Sequence, residues 1–123
     1  MARVLALTAD LLFGSRIQGD LSAAGNEVEL IGDEARLQAR LGDPDRPAAD
    51  VLVVDLTDAQ LDGARIVEAL TGEGALSSVG TLGFYSHVDV QARERAERAG
   101  FDLVIPRSRM AREGALLVKA LAG

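Results

Sequence analysis

The side chains best placed to do chemistry in this chain are acids and hydroxyls that follow short apolar runs. Asp55 closes the run at residues 51–54, Asp10 follows the run at 4–7, and Ser86 follows the run at 79–84. The sequence has no cysteine and one histidine. Thiolate catalysis, disulfides and any site that needs two imidazoles are therefore excluded, and the chemistry of carboxylates, hydroxyls and arginines remains.

The elements that must position these side chains are predicted by an alternating pattern. Apolar runs at 4–7, 28–31, 51–55, 79–84 and 101–105 are separated by segments with helical spacing. The central run is apolar at every position from 51 to 54, which is typical of a strand buried on both faces of a parallel sheet. Five β-α units in 123 residues predict one three-layer α/β domain over residues 1–123. Its doubly wound, five-stranded parallel sheet has the flavodoxin-like order 2-1-3-4-5.

The helical segments carry their own start signals and apolar stripes. Leu12 and Ile17 belong to the stripe that we expect the first helix to bury. Asp33, Asp89 and Ser108 are suited to cap the second, fourth and fifth helices, because their side chains can accept hydrogen bonds from unpaired backbone N–H groups.

Composition narrows the classes of partner. Lys and Arg total 13 and Asp and Glu total 19, which gives a net charge of −6. Such an acidic chain lacks the broad positive surface that binds DNA or anionic lipid. No stretch approaches the roughly 20 apolar residues of a membrane span. We therefore expect a cytoplasmic protein that binds neither nucleic acid nor membranes.

Several segments together resemble the receiver domain of two-component response regulators, the CheY-like fold. The strongest is the run 51–55 followed by Leu-Thr-Asp and then by Gly63; the segments 24–28 and 99–102 are similar to the turns before strands 2 and 5. The resemblance covers the whole chain. It implies a phosphoacceptor at Asp55, weak Mg²⁺ ligands at Asp10 and Asp55, and a phosphoryl-binding hydroxyl at Ser86, a slot for which Tyr85 competes.

The chain departs from the receiver pattern at charged positions. After strand 1 it has Thr8, Ala9 and Asp10 where receivers have two adjacent acids, and after strand 5 the expected lysine is missing. The only lysine is Lys119, in the last helix, and Arg107 does not reproduce the close contact of a lysine. Losing that charge-assisted hydrogen bond costs about 1.5–3 kcal/mol in a buried site. Mg²⁺ binding should be weak, since the ion prefers carboxylate oxygens.

These departures favour a pseudo-receiver: a signalling module that acts through protein–protein interaction, without enzymatic activity or efficient phosphotransfer. One alternative is an atypical response regulator with Asp55 as a working phosphoacceptor. Another is a small-ligand or flavin-binding domain that uses the Phe-Gly-Ser segment at 13–15, where a phosphate could meet a helix start.

The candidate site residues also have purely structural interpretations. Asp55 could be the polar end of a buried strand that caps nearby N–H groups, and Asp10 could cap the first helix. Asp58 is typical of a solvated turn. Tyr85 could pack its ring and expose its hydroxyl, and His87 is expected on an exposed loop.

A cluster of arginines predicts where a partner binds. In receivers the face formed by helix 4, strand 5 and helix 5 is used for docking, and the resemblance implies another signalling protein or a second copy of the chain as the partner there. The arginines on this face form a basic patch: Arg93, Arg95, Arg107, Arg109 and Arg112. The alternative is a solvated charged surface stabilised by pairs such as Arg93 with Glu97.

Overall fold

The apolar runs form one parallel sheet in the computed structural model, which describes residues 1–86 and 88–123. The strand order is β2-β1-β3-β4-β5, as predicted from the sequence. The strands are β1 (Arg3–Leu7), β2 (Glu27–Ile31), β3 (Val51–Asp55), β4 (Gly80–Tyr85) and β5 (Leu103–Pro106). All four pairings are parallel, so the carboxyl ends of the strands lie along one edge of the sheet. We call this edge the strand-end edge.

Helices cover both faces of this sheet. They are α1 (Leu11–Ala23), α2 (Glu34–Leu41), α3 (Gly63–Gly72), α4 (Val90–Ala99) and α5 (Arg107–Ala122). Helices α1 and α5 pack on one face, and α2 and α3 pack on the other, with α4 beside α3. None of the described helices has both the length and the apolar character to cross a membrane. The three layers are those of a doubly wound α/β domain.

Strand β3 is the centre of the molecule. Its five residues are all buried, because β1 and β4 flank it and helices cover both faces. Val51 and Val53 belong to the core under α1 and α5, and Leu52 and Val54 to the core under α2 and α3. Each such side chain contributes about 1.5–3 kcal/mol by leaving water. The apolar run therefore anchors Asp55 firmly at the strand-end edge.

Two of the predicted helix starts are confirmed and one is wrong. Asp33 accepts a hydrogen bond from the Arg36 N–H at 2.8 Å, and Asp89 accepts one from the Ala92 N–H at 3.0 Å. Ser108 does not cap α5, because Pro106 is in the capping position and the helix begins at Arg107, two residues before the start that a Ser108 cap would set.

The predicted stripe of α1 is also partly wrong. Leu12 is 88% exposed, whereas Phe13, Ile17 and Leu21 are buried. These three lie four residues apart, so they share one face of the helix. Asp10 caps α1 and fixes where it starts, and that start sets which face turns to the sheet.

Gly63, in the motif shared with receivers, is required by close packing. It begins α3 directly after Asp62, whose φ of +50° lies in the left-handed region. A Cβ on Gly63 would lie 2.5 Å from Cγ1 of Val54 and 3.3 Å from Cδ2 of Leu56. Val54 is fully buried and β-branched, so it has little freedom to move away.

We expect Gly63→Ala to destabilise the protein by about 1–3 kcal/mol, as overpacking in a tight core does. Gly72→Ala, at the other end of the same helix, is the matched control, since nothing lies within 4 Å of its Cβ position. That substitution should be neutral or stabilising by up to about 1 kcal/mol. Urea unfolding of the two variants measures the difference, and equal midpoints would contradict the assignment of Gly63 as a packing position.

Candidate functional site

Asp55 lies at the edge of the sheet between the ends of two neighbouring strands. The pairing of Leu7 with Val54 brings Thr8 beside Asp55 on one side, and Asp55 itself pairs with Phe84 on the other. The Leu56 N–H donates to the Phe84 carbonyl at 2.9 Å, which fixes the chain as it leaves β3. This is the edge at which ligands bind in open parallel sheets.

The carboxylate of Asp55 is buried, and each of its oxygens accepts at least one hydrogen bond from the chain. Its Oδ2 accepts from the Thr8 hydroxyl at 2.7 Å. Its Oδ1 accepts from the Thr57 N–H at 2.8 Å and from the Thr57 hydroxyl at 2.5 Å. Asp55 is 2% exposed, and no described ion pair includes it. Two threonines thus satisfy this acid, and one of them supplies the backbone N–H that the strand-end interpretation expects.

Thr8 is the site residue for which the sequence suggested no role. It is buried, donates to Asp55 and accepts from the Asp10 N–H at 3.1 Å. Gly14 makes room for it, because a Cβ there would lie 2.9 Å from Cγ2 of Thr8. The signal in the sequence was its position directly after β1, but only the strand register places it against Asp55.

Asp10 caps α1 and faces an arginine. It accepts from the Phe13 N–H at 3.0 Å, and its other oxygen lies 3.3 Å from Nη2 of Arg107. The pKa of Asp10 is lowered, first by the hydrogen bond from Phe13 and further by the positive charge of Arg107. The geometry is that of the helix-capping interpretation, with both carboxylate oxygens occupied.

Arg107 turns toward the strand-end edge. Its guanidinium lies 3.9 Å from the centroid of the Phe13 ring, and that ring lies 5.1 Å from the ring of Phe84. A cation over an aromatic face contributes about 0.5–1 kcal/mol at an exposed site. Arg107, the first residue after β5, is therefore held by Phe13 and Asp10.

Ser86 opens onto a cavity beside Asp55. The cavity has a volume of about 360 Å³ and is lined by Thr57, Ser86, Arg107 and Ser108, with Phe13 and Ala111. Asp55 does not line this cavity, but Thr57, which does, is hydrogen-bonded to Asp55. Tyr85 is buried, as its packing interpretation predicts. His87 lies outside the described residues.

Asp10 and Asp55 are the two acids predicted to bind Mg²⁺ weakly. Among residues 1–86 and 88–123, no three acidic or imidazole side chains come together as potential ligands. Mg²⁺ is usually held through one or two carboxylates together with water molecules. Both acids accept hydrogen bonds within the chain, and weak binding of Mg²⁺ by them stays a prediction.

The arginines of the predicted partner patch have carboxylates beside them. The pairs are Arg93 with Glu97 at 2.9 Å, Arg95 with Asp62 at 3.7 Å, Arg109 with Glu113 at 3.3 Å and Arg112 with Glu113 at 3.9 Å. The predicted Arg93–Glu97 pair is confirmed. Exposed pairs of this kind stabilise the fold little, but they reduce the positive field. The roles of this face in docking and dimerisation stay predictions.

Comparisons with known proteins connect the fold to one group. No family model and no curated protein matches the sequence. A putative response regulator from Chloroflexus aurantiacus has a similar structure, with a TM-score of 0.85 at 16% identity over 98% of this chain and 97% of that one. The receiver domain of the TMAO respiratory regulator TorR gives 0.82 at 19% over 98% and 96%.

A third similar structure is an atypical orphan response regulator described as having a phosphorylation-independent regulatory mechanism. Its TM-score is 0.77 at 16% identity, over 98% of this chain and 94% of that one. Identities this low establish the architecture alone. The chain therefore has the fold of response regulator receiver domains along nearly its whole length.

Proposed function

We propose that this chain is a receiver-like signalling module that acts by binding another signalling protein and that accepts phosphoryl groups poorly. The proposal depends mainly on the environment of Asp55. Its carboxylate is buried, and its two oxygens accept hydrogen bonds from Thr8 and Thr57. The receiver fold itself supports a role in two-component signalling.

The first barrier to phosphotransfer is the carboxylate's own hydrogen bonding. An oxygen of Asp55 must attack phosphorus in line, and turning a lone pair toward phosphorus weakens the hydrogen bonds that Thr8 and Thr57 donate to it. A hydrogen bond to a charged group contributes about 1.5–3 kcal/mol. Reaching a reactive geometry therefore costs free energy before any chemistry begins.

The second barrier is the pairing of the positive charge at this edge. Phosphoryl transfer depends on cations that neutralise the charge of the transferred group. Arg107 lines the same cavity as Thr57 and Ser86, but it is paired with Asp10 and stacked on Phe13. A weakly held Mg²⁺ would compete with those contacts. The similar structure of the orphan regulator described as phosphorylation-independent offers a precedent for such a module.

The alternative is an atypical regulator with Asp55 as a slow phosphoacceptor. Hydroxyls of Thr57 and Ser86 line the same cavity as the guanidinium of Arg107, and these groups could contact an incoming phosphoryl group. The alternative can therefore be tested by looking for phosphorylated Asp55.

We expect no stable acyl phosphate when the protein is incubated with Mg²⁺ and acetyl phosphate, because the Asp55 oxygens are engaged. Intact mass spectrometry is the measurement, with Asp55→Asn as the matched control. A phosphoryl adduct on the native chain that disappears in Asp55→Asn would refute the proposal in favour of the alternative.

Replacing Thr8 should reveal what its hydroxyl does. Thr8→Val keeps the shape but removes the donor to Asp55, so we expect a loss of about 1–3 kcal/mol in the free energy of unfolding. Addition of Mg²⁺ should leave that loss unchanged.

The double variant Thr8→Asp, Ala9→Asp places two acids beside Asp55. Their mutual repulsion should destabilise it without Mg²⁺, and millimolar Mg²⁺ should restore stability by binding the folded state.

Thermal unfolding with Mg²⁺ and with a chelator measures both effects. If Mg²⁺ raises the thermal midpoint of the native protein as much as that of the double variant, the native acids already form a metal site and the proposal is wrong.

A further inference from the structure

A polar cavity opens at the edge of the sheet opposite the strand-end edge. It has a volume of about 430 Å³ and lies where β4 begins, between the loop after α3 and the turn before β5. Four hydroxyl-bearing residues and one acid line it: Thr71, Ser77, Ser78, Thr81 and Asp102. Among the described residues that line it, none is a lysine, an arginine or an aromatic residue. The cavity therefore offers oxygen acceptors without a positive charge of its own.

The carboxylate of Asp102 is held in a fixed orientation. Its Oδ2 accepts from the Thr81 N–H at 2.8 Å and from the Thr81 hydroxyl at 3.3 Å. The same hydroxyl accepts from the Asp102 N–H at 2.9 Å. Thr81 is 3% exposed, whereas Asp102 is exposed. Within the part of the chain that the structure describes, Oδ1 of Asp102 accepts no hydrogen bond. One oxygen thus anchors the side chain, and the other is available to a ligand.

Three helices end at this cavity. Each helix runs back from the strand-end edge toward the start of the next strand, so the helix C-termini lie at this opposite edge. Thr71 is in the last turn of α3, Gly100 directly follows α4, and Leu121 is in the last turn of α5; all three line the cavity. A helix C-terminus carries roughly half an elementary negative charge, because its last carbonyls have no partner within the helix. These partial charges add to the charge of Asp102.

Basic side chains balance this negative end only in part. Helix α3 has no basic residue in its last turn. Arg98 in the last turn of α4 and Lys119 in the last turn of α5 do not line the cavity. The whole chain has a net charge of −6, so its long-range field also attracts cations. Near and distant charges therefore both favour a positive group in the cavity.

The lining distinguishes between kinds of cation. Mg²⁺ and Ca²⁺ bind to sets of oxygen ligands that usually include carboxylates, and Asp102 is the one acid that lines the cavity among the described residues. A quaternary ammonium group is recognised by aromatic rings, which the described lining lacks. A guanidinium group has five N–H donors, which suit one carboxylate oxygen and several hydroxyls spread over the cavity. It is also less strongly hydrated than an ammonium group, so it loses less on leaving water.

We propose that this cavity receives an arginine side chain of a partner protein. The inference rests on the proposed function, since it names a contact through which the module binds its partner. The guanidinium group donates to Oδ1 of Asp102 and to the hydroxyls of Ser77 and Ser78, and it lies at the negative ends of the helices. A single exposed carboxylate holds an isolated cation weakly. A partner's side chain is kept in place by the rest of the interface, which raises its effective concentration.

Two short peptides test whether the cavity recognises a guanidinium group. One carries a single arginine between glycines and has blocked ends, and the control carries citrulline, which has nearly the same shape but no charge. Titration into ¹⁵N-labelled protein should shift the amide signals of Ser77, Ser78, Thr81 and Asp102. The arginine peptide should bind at least about fivefold more tightly than the citrulline peptide.

Variants with altered charge locate the interaction. Asp102→Asn keeps an oxygen for the Thr81 N–H but removes the negative charge, so the preference for arginine should be lost. Asp20→Asn, at an exposed position of α1, makes the same change in net charge away from the cavity and should leave binding unchanged. Ser78→Asp adds a carboxylate to the cavity and should strengthen binding of the arginine peptide.

A cation supplied by the chain itself should compete with the peptide. Thr71→Lys places an ammonium group at the cavity, so it should block binding of the arginine peptide. Because this residue is exposed and lies in the last turn of α3, the new charge is also favoured by the helix dipole. The thermal midpoint should therefore stay the same or rise, which separates blocked binding from loss of the fold.

Four outcomes would overturn the proposal. They are equal binding of both peptides, arginine binding that persists in folded Asp102→Asn, unchanged affinity in Ser78→Asp, and tighter binding of spermidine than of the arginine peptide. The third decides the matter if Asp102→Asn fails to fold, and the fourth would assign the cavity to a free polyamine. The phosphorylation test is independent. A phosphoryl adduct together with arginine binding refutes the proposed function and leaves the cavity, and the absence of both refutes the cavity alone.

Discussion

The arrangement at the strand-end edge depends on one constraint: the carboxylate at the end of β3 is buried and must be satisfied by the chain itself. A buried acid is tolerated only when donors replace the water it has lost. The hydroxyls of Thr8 and Thr57 do this for Asp55. A second carboxylate in place of Thr8 would add like-charge repulsion beside a buried acid. Thr8 thus completes a hydrogen-bonded network around Asp55 without adding a second negative charge.

The charged side chains around that network also make contacts that hold the fold together. Asp10 ends the first loop as a helix cap and holds Arg107, and Arg107 in turn covers the Phe13 ring. These contacts join the start of α1 to the start of α5.

The features that the sequence predicted correctly depend on local patterns, and those it missed depend on neighbours distant in the chain. The apolar run of β3, the strand order and the caps Asp33 and Asp89 follow from periodicity and residue type. The contact of Thr8 with Asp55 joins residues 47 positions apart, and it follows only from the pairing of β1 with β3. Ser108 failed as a cap because Pro106 occupies the capping position of α5, and no local rule chooses between two starts that lie two residues apart.

The ring of Phe13 connects the start of α1 to the strand-end edge. It is buried, with Arg107 over its face and Phe84 beside it. The same ring lines the cavity to which Thr57, Ser86 and Arg107 contribute. Because a cation is attracted to an aromatic face, Phe13 helps to hold the positive charge of Arg107 at the edge of the sheet where β3 ends.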